Sequence, residues 1–328
     1  MYFSGVNPIK MLTKDLNMFF RFYPAALTRV VWLKVTGKKL RNPIFAGHVV
    51  HSQSKANERI KEAILSNKPF MFGRHGSNEI QMAFHGQMLD KGIIEKIDCK
   101  KLTASCEHSG FFPVEEEMFR KFNELIIEAT EQCDIYGAFR AVAEDYYMSE
   151  YLKKDAVVTH TNTMDFWRYE EPFTYALKGK KVLVVHYLAE QIEEQYKKRD
   201  KLFENKKVLP EFELRTFKAV QTIAGQKDPR FANWFEALDY MCEEIQKIDF
   251  DIAILGCGAY GMPLSAKIKK MGKQSIYMGG VLQMLFGIRG RRWDAEPKAA
   301  ALYNEHWVSP DAGSVPKGSN SVEGGCYW

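Results

Sequence analysis

The 328-residue chain has little of what marks several protein classes. Its six cysteines, at 99, 106, 133, 242, 257 and 326, form no C-x-x-C pair and have no histidines at zinc-finger spacing. That excludes a disulfide framework and a zinc ribbon. No run approaches the roughly 18 apolar residues of a membrane-spanning helix. Lys10, Lys14 and Asp15 interrupt the apolar residues near the start, so no secretory leader is expected. H-E-x-x-H, the Walker lysine motif and G-x-S-x-G are absent. With 23 Gly and 12 Pro, neither a collagen-like nor a low-complexity chain is in view. Charge of one sign is scarce too: 46 Lys and Arg stand against 41 Asp and Glu, for a net +5. That is not a dedicated nucleic-acid binder, and no nucleic-acid partner is expected.

What is present is ample apolar material, 46% hydrophobic and 13% aromatic residues, enough for a large core and too much for disorder. The length allows one large or two small domains. The positive charge is concentrated at the start, where residues 1–41 hold eight Lys or Arg against Asp15 alone. Residues 9–36 mix Phe19, Phe20, Phe22, Tyr23, Val31, Trp32 and Leu33 with these cations, and Pro24 divides them. This reads as two short amphipathic helices. Such an arm suits a membrane surface, its aromatics among headgroups and its cations against anionic lipid. It equally suits packing on its own domain or on a second copy of the chain. The division expected is 1–45 as arm and 46–328 as one α/β domain.

Further along, apolar runs alternate with amphipathic stretches. Helices are expected over 55–67, 80–89, 114–132, 144–153, 188–204, 233–248 and 262–271. Strands are expected at 69–72, 102–104, 134–136, 156–159, 182–186, 251–255 and 275–278, and 212–220 reads as a strand or a strand entering a helix. Val182-Leu183-Val184-Val185 is the clearest buried strand. Residues 161–176, rich in aromatics, suit a loop or lid, and the chain after Arg289 looks loop-like. Strand–helix alternation predicts an α/β fold, a mainly parallel Rossmann-like sheet with helices on both faces.

Four stretches can carry chemistry. Ile252–Leu255 runs into Gly256-Cys257-Gly258-Ala259-Tyr260-Gly261, a strand followed by G-x-G-x-x-G. Gly256, Gly258 and Gly261 let backbone approach a phosphate, and the next helix offers free N–H groups. A dinucleotide site wants an acid at the end of the following strand, and Tyr277-Met278-Gly279-Gly280 has none. Phe286–Trp293 holds Arg289, Arg291 and Arg292, whose guanidinium forks match a diphosphate. Arg74-His75-Gly76-Ser77-Asn78-Glu79 follows a strand, with Arg74 able to offset phosphate charge and Glu79 to act as base or metal ligand. His186 ends the valine-rich strand, placed for proton transfer or a hydrogen bond to sugar. Each has a plainer alternative: tight strand–helix packing, a solvated basic loop, a helix-capping Glu79, a structural His186. Cys257, in the glycine turn, reads as a small filler.

The Arg74–Glu79 turn and the segment from Gly256 to Gly280 resemble GT-D-fold glycosyltransferases, whose early turn reads R-[FY]-G-D-G-E. The stretches Gly256–Leu264, Phe286–Trp293 and Glu323–Trp328 also resemble uncharacterised bacterial proteins found with surface-polysaccharide genes. The first resemblance implies transfer of a sugar from a nucleotide diphosphate donor, helped by Mn²⁺ or Mg²⁺ at an Asp-x-Glu. Here Ser77 replaces that Asp and Glu79 is kept, so the arginines are an alternative source of positive charge. The resulting expectation is a cytoplasmic transferase, at the inner face of the membrane if the arm binds lipid, taking a nucleotide sugar and a glycan or lipid-linked acceptor. Glu79, Arg74 and His186 are its expected catalytic residues, and a homo-oligomer is compatible with it. An NAD(P)-dependent oxidoreductase on a sugar nucleotide and a non-catalytic nucleotide-sugar-binding scaffold stay open.

Overall fold

A computed structural model of the chain describes residues 8–16, 18–19, 23–38, 43–141 and 143–328. Phe20, Phe22, Arg21, Lys39 and Arg41 of the expected arm lie outside the described residues. The framework is a seven-stranded sheet of β1 (Met71–Gly73), β2 (Ile135–Ala138), β3 (Val157–His160), β4 (Lys181–His186), β5 (Glu213–Lys218), β6 (Ile252–Gly256) and β7 (Gln274–Tyr277). Their spatial order is β3-β2-β1-β7-β6-β4-β5, and every pairing is parallel. β1 is an inner strand, third in that order: the chain builds outward from it through β2 and β3, then crosses to lay down β4 to β7 on the other side. That reversal makes a crevice at the carboxyl ends of the central strands, where open parallel sheets bind ligands.

The strands read as apolar runs because both faces are covered. Leu183, Val185, Ala253 and Leu255 enter one core, and Val182, Val184, Ile252 and Ile254 enter the other. The first core is roofed by the helices Ser77–Asp90, Glu116–Gln132, Trp234–Gln246 and Gly261–Lys270, the second by Gln53–Leu65 and Ala189–Tyr196. The edge strand β5 carries Glu213, Arg215 and Lys218, charges that discourage pairing with another sheet. After β2 the buried Glu144 carboxylate accepts from Tyr136 Oη at 2.8 Å and from the amides of Phe139 at 3.0 Å and Ala141 at 2.9 Å. That clamps the loop leaving β2.

Four expectations are corrected. Leu102-Thr103-Ala104 is not a strand but part of the helix Cys99–Ser109, which buries Leu102, Cys106 and Ser109 at helical spacing. The helix expected over 188–204 is broken: Ala189–Tyr196 ends at Lys197, and Arg199–Leu202 is a separate turn. Lys197 pairs with Glu194 at 2.5 Å at the end of the first of these. The aromatic stretch 161–176 is no lid, since its 3₁₀ turns carry Phe166 and Phe173 fully into the core. The segment after Arg289 contains the short helices Arg291–Asp294 and Pro297–Ala300 and then folds back over the sheet's carboxyl edge.

At the start of the chain the helices are Pro8–Lys14 and Tyr23–Thr36. Ion pairs Lys10–Glu95 at 2.7 Å, Asp15–Lys91 and Arg29–Asp145 at 2.6 Å join them to the sheet domain.

Candidate active site

Residues following all seven strands converge on one cavity of about 530 Å³ at the carboxyl edge of the sheet. A parallel sheet requires this: every strand ends on the same edge, so every βα turn can contribute a side chain there.

The turn after β1 supplies the charged centre. Gly76 is the N-cap of the helix Ser77–Asp90, and the first turn of that helix borders the cavity. Glu79, in its first turn, folds its carboxylate back onto Gly76. A β-carbon added to Gly76 would lie 2.7 Å from Glu79 Cδ, closer still to Oε2. Only glycine leaves room for that carboxylate. Burial pushes Glu79 above the ordinary carboxylate range, while its own amide, Arg74 and Ser109 pull it down and Glu323 pushes it further up. Arg74 lies with Cζ 5.4 Å from the Tyr277 ring centroid, and its guanidinium rests against Gly279, at φ +64°. A β-carbon on Gly279 would stand 3.1 Å from Cζ and nearer to Nη2. Among the described residues Arg74 forms no hydrogen bond or ion pair. His75, its neighbour, turns into the core instead. Its Nε2 donates to Thr130 Oγ1 at 3.0 Å, since that hydroxyl donates to Ile126 O, and burial lowers its pKa to about 3.

His186 ends β4 on the cavity wall and stacks on Tyr187. Its Nδ1 accepts from the Leu188 amide at 3.1 Å, so the ring proton sits on Nε2. Burial lowers its pKa to about 3, leaving it a neutral donor rather than a base. Gly256 and Gly258 border the cavity, and Cys257 between them is buried, its thiol pushed up by burial. Gly261 opens the next helix beneath the Tyr277 ring, where it serves helix–strand packing.

The arginine cluster separates. Arg292 borders the cavity, paired with Glu323 of the returning tail. Arg289 lies outside the wall, its Cζ 5.0 Å from the Tyr303 ring centroid and Nη2 donating to Asn304 O at 3.3 Å. Arg291 is exposed and also outside it. The cavity thus joins Arg74, Glu79, His186, Gly256, Gly258 and Arg292, and leaves Gly261, Arg289 and Arg291 behind it.

Sequence reasoning missed Asp165 and Arg168, which reach the cavity from the turns after β3. Arg168 Nε donates to Asp165 Oδ2 at 2.8 Å, yet burial still raises Asp165 to about 6. The signal was an Asp-x-x-Arg just past a strand end, hidden in a stretch dominated by aromatics. Also missed was the tail, whose Tyr327 ring packs on Gly280 and whose Tyr327 O accepts from Gln283 Nε2 at 3.0 Å.

A divalent cation would find a thin donor set. Among the described residues no group of three His, Cys, Asp or Glu side chains is placed to hold a metal ion, and Glu79 stands without the aspartate two residues before it. Glu79 would supply one carboxylate to such an ion, and the remaining oxygen ligands would come from a bound diphosphate and water, with the Arg74 cation opposing it.

A family model described as the GT-D fold-like domain matches residues 51–285. Two solved structures align with the chain. One is a selenomethionine-substituted structure of domain of unknown function 1792, 10% identical, covering 70% of this chain and 82% of that one with a TM-score of 0.40. The other is described as a highly conserved domain of unknown function 1792 with a distinct glycosyltransferase fold, 10% identical, covering 69% and 82% with a TM-score of 0.38. At these TM-scores neither alignment bears on function. No curated protein matches.

Proposed function

The chain belongs to the GT-D-like family, and from that premise we propose that it moves a sugar from a nucleoside-diphosphate donor to a hydroxyl of a glycan or lipid-linked acceptor. The observation that carries this reading is Arg74, a guanidinium with no hydrogen bond or ion pair among the described residues, in a cavity wall shared with the glycine turn Gly256–Gly258. A cation beside a glycine-rich turn, where backbone can approach closely, favours a diphosphate. The leaving diphosphate gains charge as its bond to the sugar breaks, and a fixed cation beside it lowers that barrier. Arg292 adds a second cation, partly offset by Glu323. This assigns charge neutralisation to arginine rather than to a cation at Glu79.

In the proposed step the acceptor oxygen bonds to the anomeric carbon while the bond from that carbon to the diphosphate oxygen breaks. The bonding pair leaves with the diphosphate, and the acceptor proton passes to Glu79. The raised proton affinity of Glu79 suits a base, since efficiency grows as the pKa nears the working pH. His186 donates Nε2–H to a sugar hydroxyl, and Trp167, Tyr187 and Trp328 offer faces for a base or sugar ring. The resemblance of Gly256–Leu264 and Glu323–Trp328 to proteins found with surface-polysaccharide genes supports an acceptor in polysaccharide assembly.

The test is turnover. Purified protein is incubated with UDP- and GDP-sugars and a lipid and oligosaccharide extract, and free nucleoside diphosphate is measured. Release from one donor, lost in Glu79→Gln, is expected. A protein that binds the nucleoside diphosphate yet releases none from any donor is a non-catalytic binding partner, and the transferase reading fails.

A further inference from the structure

We propose that the helix Tyr23–Thr36 docks the protein on an anionic lipid bilayer, a property independent of the transfer reaction. The first part of the helix is fixed. Arg29 pairs with the buried Asp145 at 2.6 Å and lies 5.3 Å from the Phe45 ring centroid. The second part stands clear of the domain, with every residue from Val31 to Lys38 exposed. Val31 is 50% exposed, Trp32 45% and Val35 78%. Val31, Trp32 and Leu33 are consecutive, so they point about 100° apart around the helix. Apolar side chains therefore surround this end rather than forming one stripe for one partner helix. A soft apolar medium covers such a ring; a flat protein face covers one side of it.

Charge selects between the remaining occupants. Residues 16–57 contain no Asp or Glu and seven Lys or Arg, Lys34 and Lys38 among them. A second copy of this helix would bring like charges together, whereas anionic headgroups neutralise them. Trp32 and the basic side chains combine apolar bodies with polar tips, the composition that settles at a headgroup boundary. The helix has 14 residues, and no helix among the described residues is long and apolar enough to cross a membrane. The geometry is that of a short helix whose exposed end dips into the headgroup region without crossing the bilayer.

The experiment is co-sedimentation of the full chain with vesicles of phosphatidylcholine, or of phosphatidylcholine mixed with phosphatidylglycerol, at equal lipid. Binding to the mixed vesicles and not to the neutral ones is expected, weakening as salt rises. Lys34→Glu with Lys38→Glu is expected to lower that binding by more than about tenfold. Trp32→Ala is expected to lower it severalfold. These residues are exposed, so an unchanged melting midpoint should show that each variant folds. No binding to mixed vesicles overturns the proposal, as does equal binding to both kinds. A dimer seen by light scattering and dispersed by Trp32→Ala also overturns it, because a second copy would then cover the helix.

Discussion

Gly76→Ala moves the Glu79 carboxylate without touching its charge. The new β-carbon would stand 2.7 Å from Glu79 Cδ, where ordinary contact begins at 3.4 Å, so the carboxyl must retreat by at least 0.7 Å (3.4 − 2.7). Backbone strain is not the issue, because Gly76 has φ −80° and ψ 155°, which alanine adopts freely. Alanine at an N-cap costs a few tenths to about 1 kcal/mol relative to glycine, and the stiffer unfolded chain returns a similar amount. Stability is therefore nearly unchanged. Catalysis is not: a displacement near 1 Å of a reacting group costs on the order of 100-fold, or about 2.7 kcal/mol. The assay is nucleoside diphosphate release from the cognate donor, alongside calorimetric affinity for the diphosphate. We expect kcat/KM to fall about 100-fold, with affinity and melting midpoint near wild type. On a Glu79→Ala background the same substitution should add nothing, because the obstructed group is gone. Wild-type turnover in a folded Gly76→Ala protein would refute the assignment of Glu79.

Arg74→Ala should weaken nucleoside diphosphate binding by tenfold or more, the usual range for a charge-assisted contact of about 1.5–3 kcal/mol. Arg291→Ala, outside the cavity, should leave it unchanged; calorimetry separates the two. The same binding should survive EDTA, and abolition by EDTA with rescue by Mn²⁺ would restore a cation at Glu79. The buried histidines His75 and His186 have folded pKa values lowered to about 3. Their contribution is complete above pH 6.5 and is lost as pH falls from 6.5 toward 3, because only the unfolded chain takes the proton easily. Asp165, raised to about 6, acts with the opposite sign: its contribution is present below its unfolded pKa and is lost as pH rises through 6. The clean readout is thus a difference. Urea unfolding of His75→Gln should show a weaker loss of stability between pH 6.5 and 4, by up to about 3 kcal/mol. An unaltered slope would mean that His75 is not held neutral by the fold.

The sheet was legible where strands are buried on both faces. Val182–Val185 and Ile252–Leu255 lose every side chain to one core or the other, so they stand out as apolar runs. Leu102–Ala104 misled because three residues cannot separate a strand from one turn of a helix; Cys106 and Ser109 complete the helical period. In the site, Arg74, Glu79, Gly256 and Gly258 were readable because each follows a recognisable strand, and a parallel sheet sends such turns to one edge. Arg289, Arg291 and Arg292 share a sequence neighbourhood but not a direction. Arg292 faces the cavity while Arg289 turns to Tyr303. Asp165 and the tail residues depend on how the chain folds back: Glu323 meets Arg292 across 31 positions, a pairing no local pattern announces.

The central claim is that this cavity binds a nucleoside diphosphate through Arg74. Thermal unfolding of the purified protein with UDP, GDP, CMP, NAD or NADP tests it most directly. A ligand at 100 times its Kd adds about 2.7 kcal/mol, which raises the midpoint by about 2 °C or more in a chain of this size. The account predicts a rise with UDP or GDP that disappears in Arg74→Ala; a rise with NAD or NADP alone, or one with UDP or GDP that survives Arg74→Ala, would contradict it.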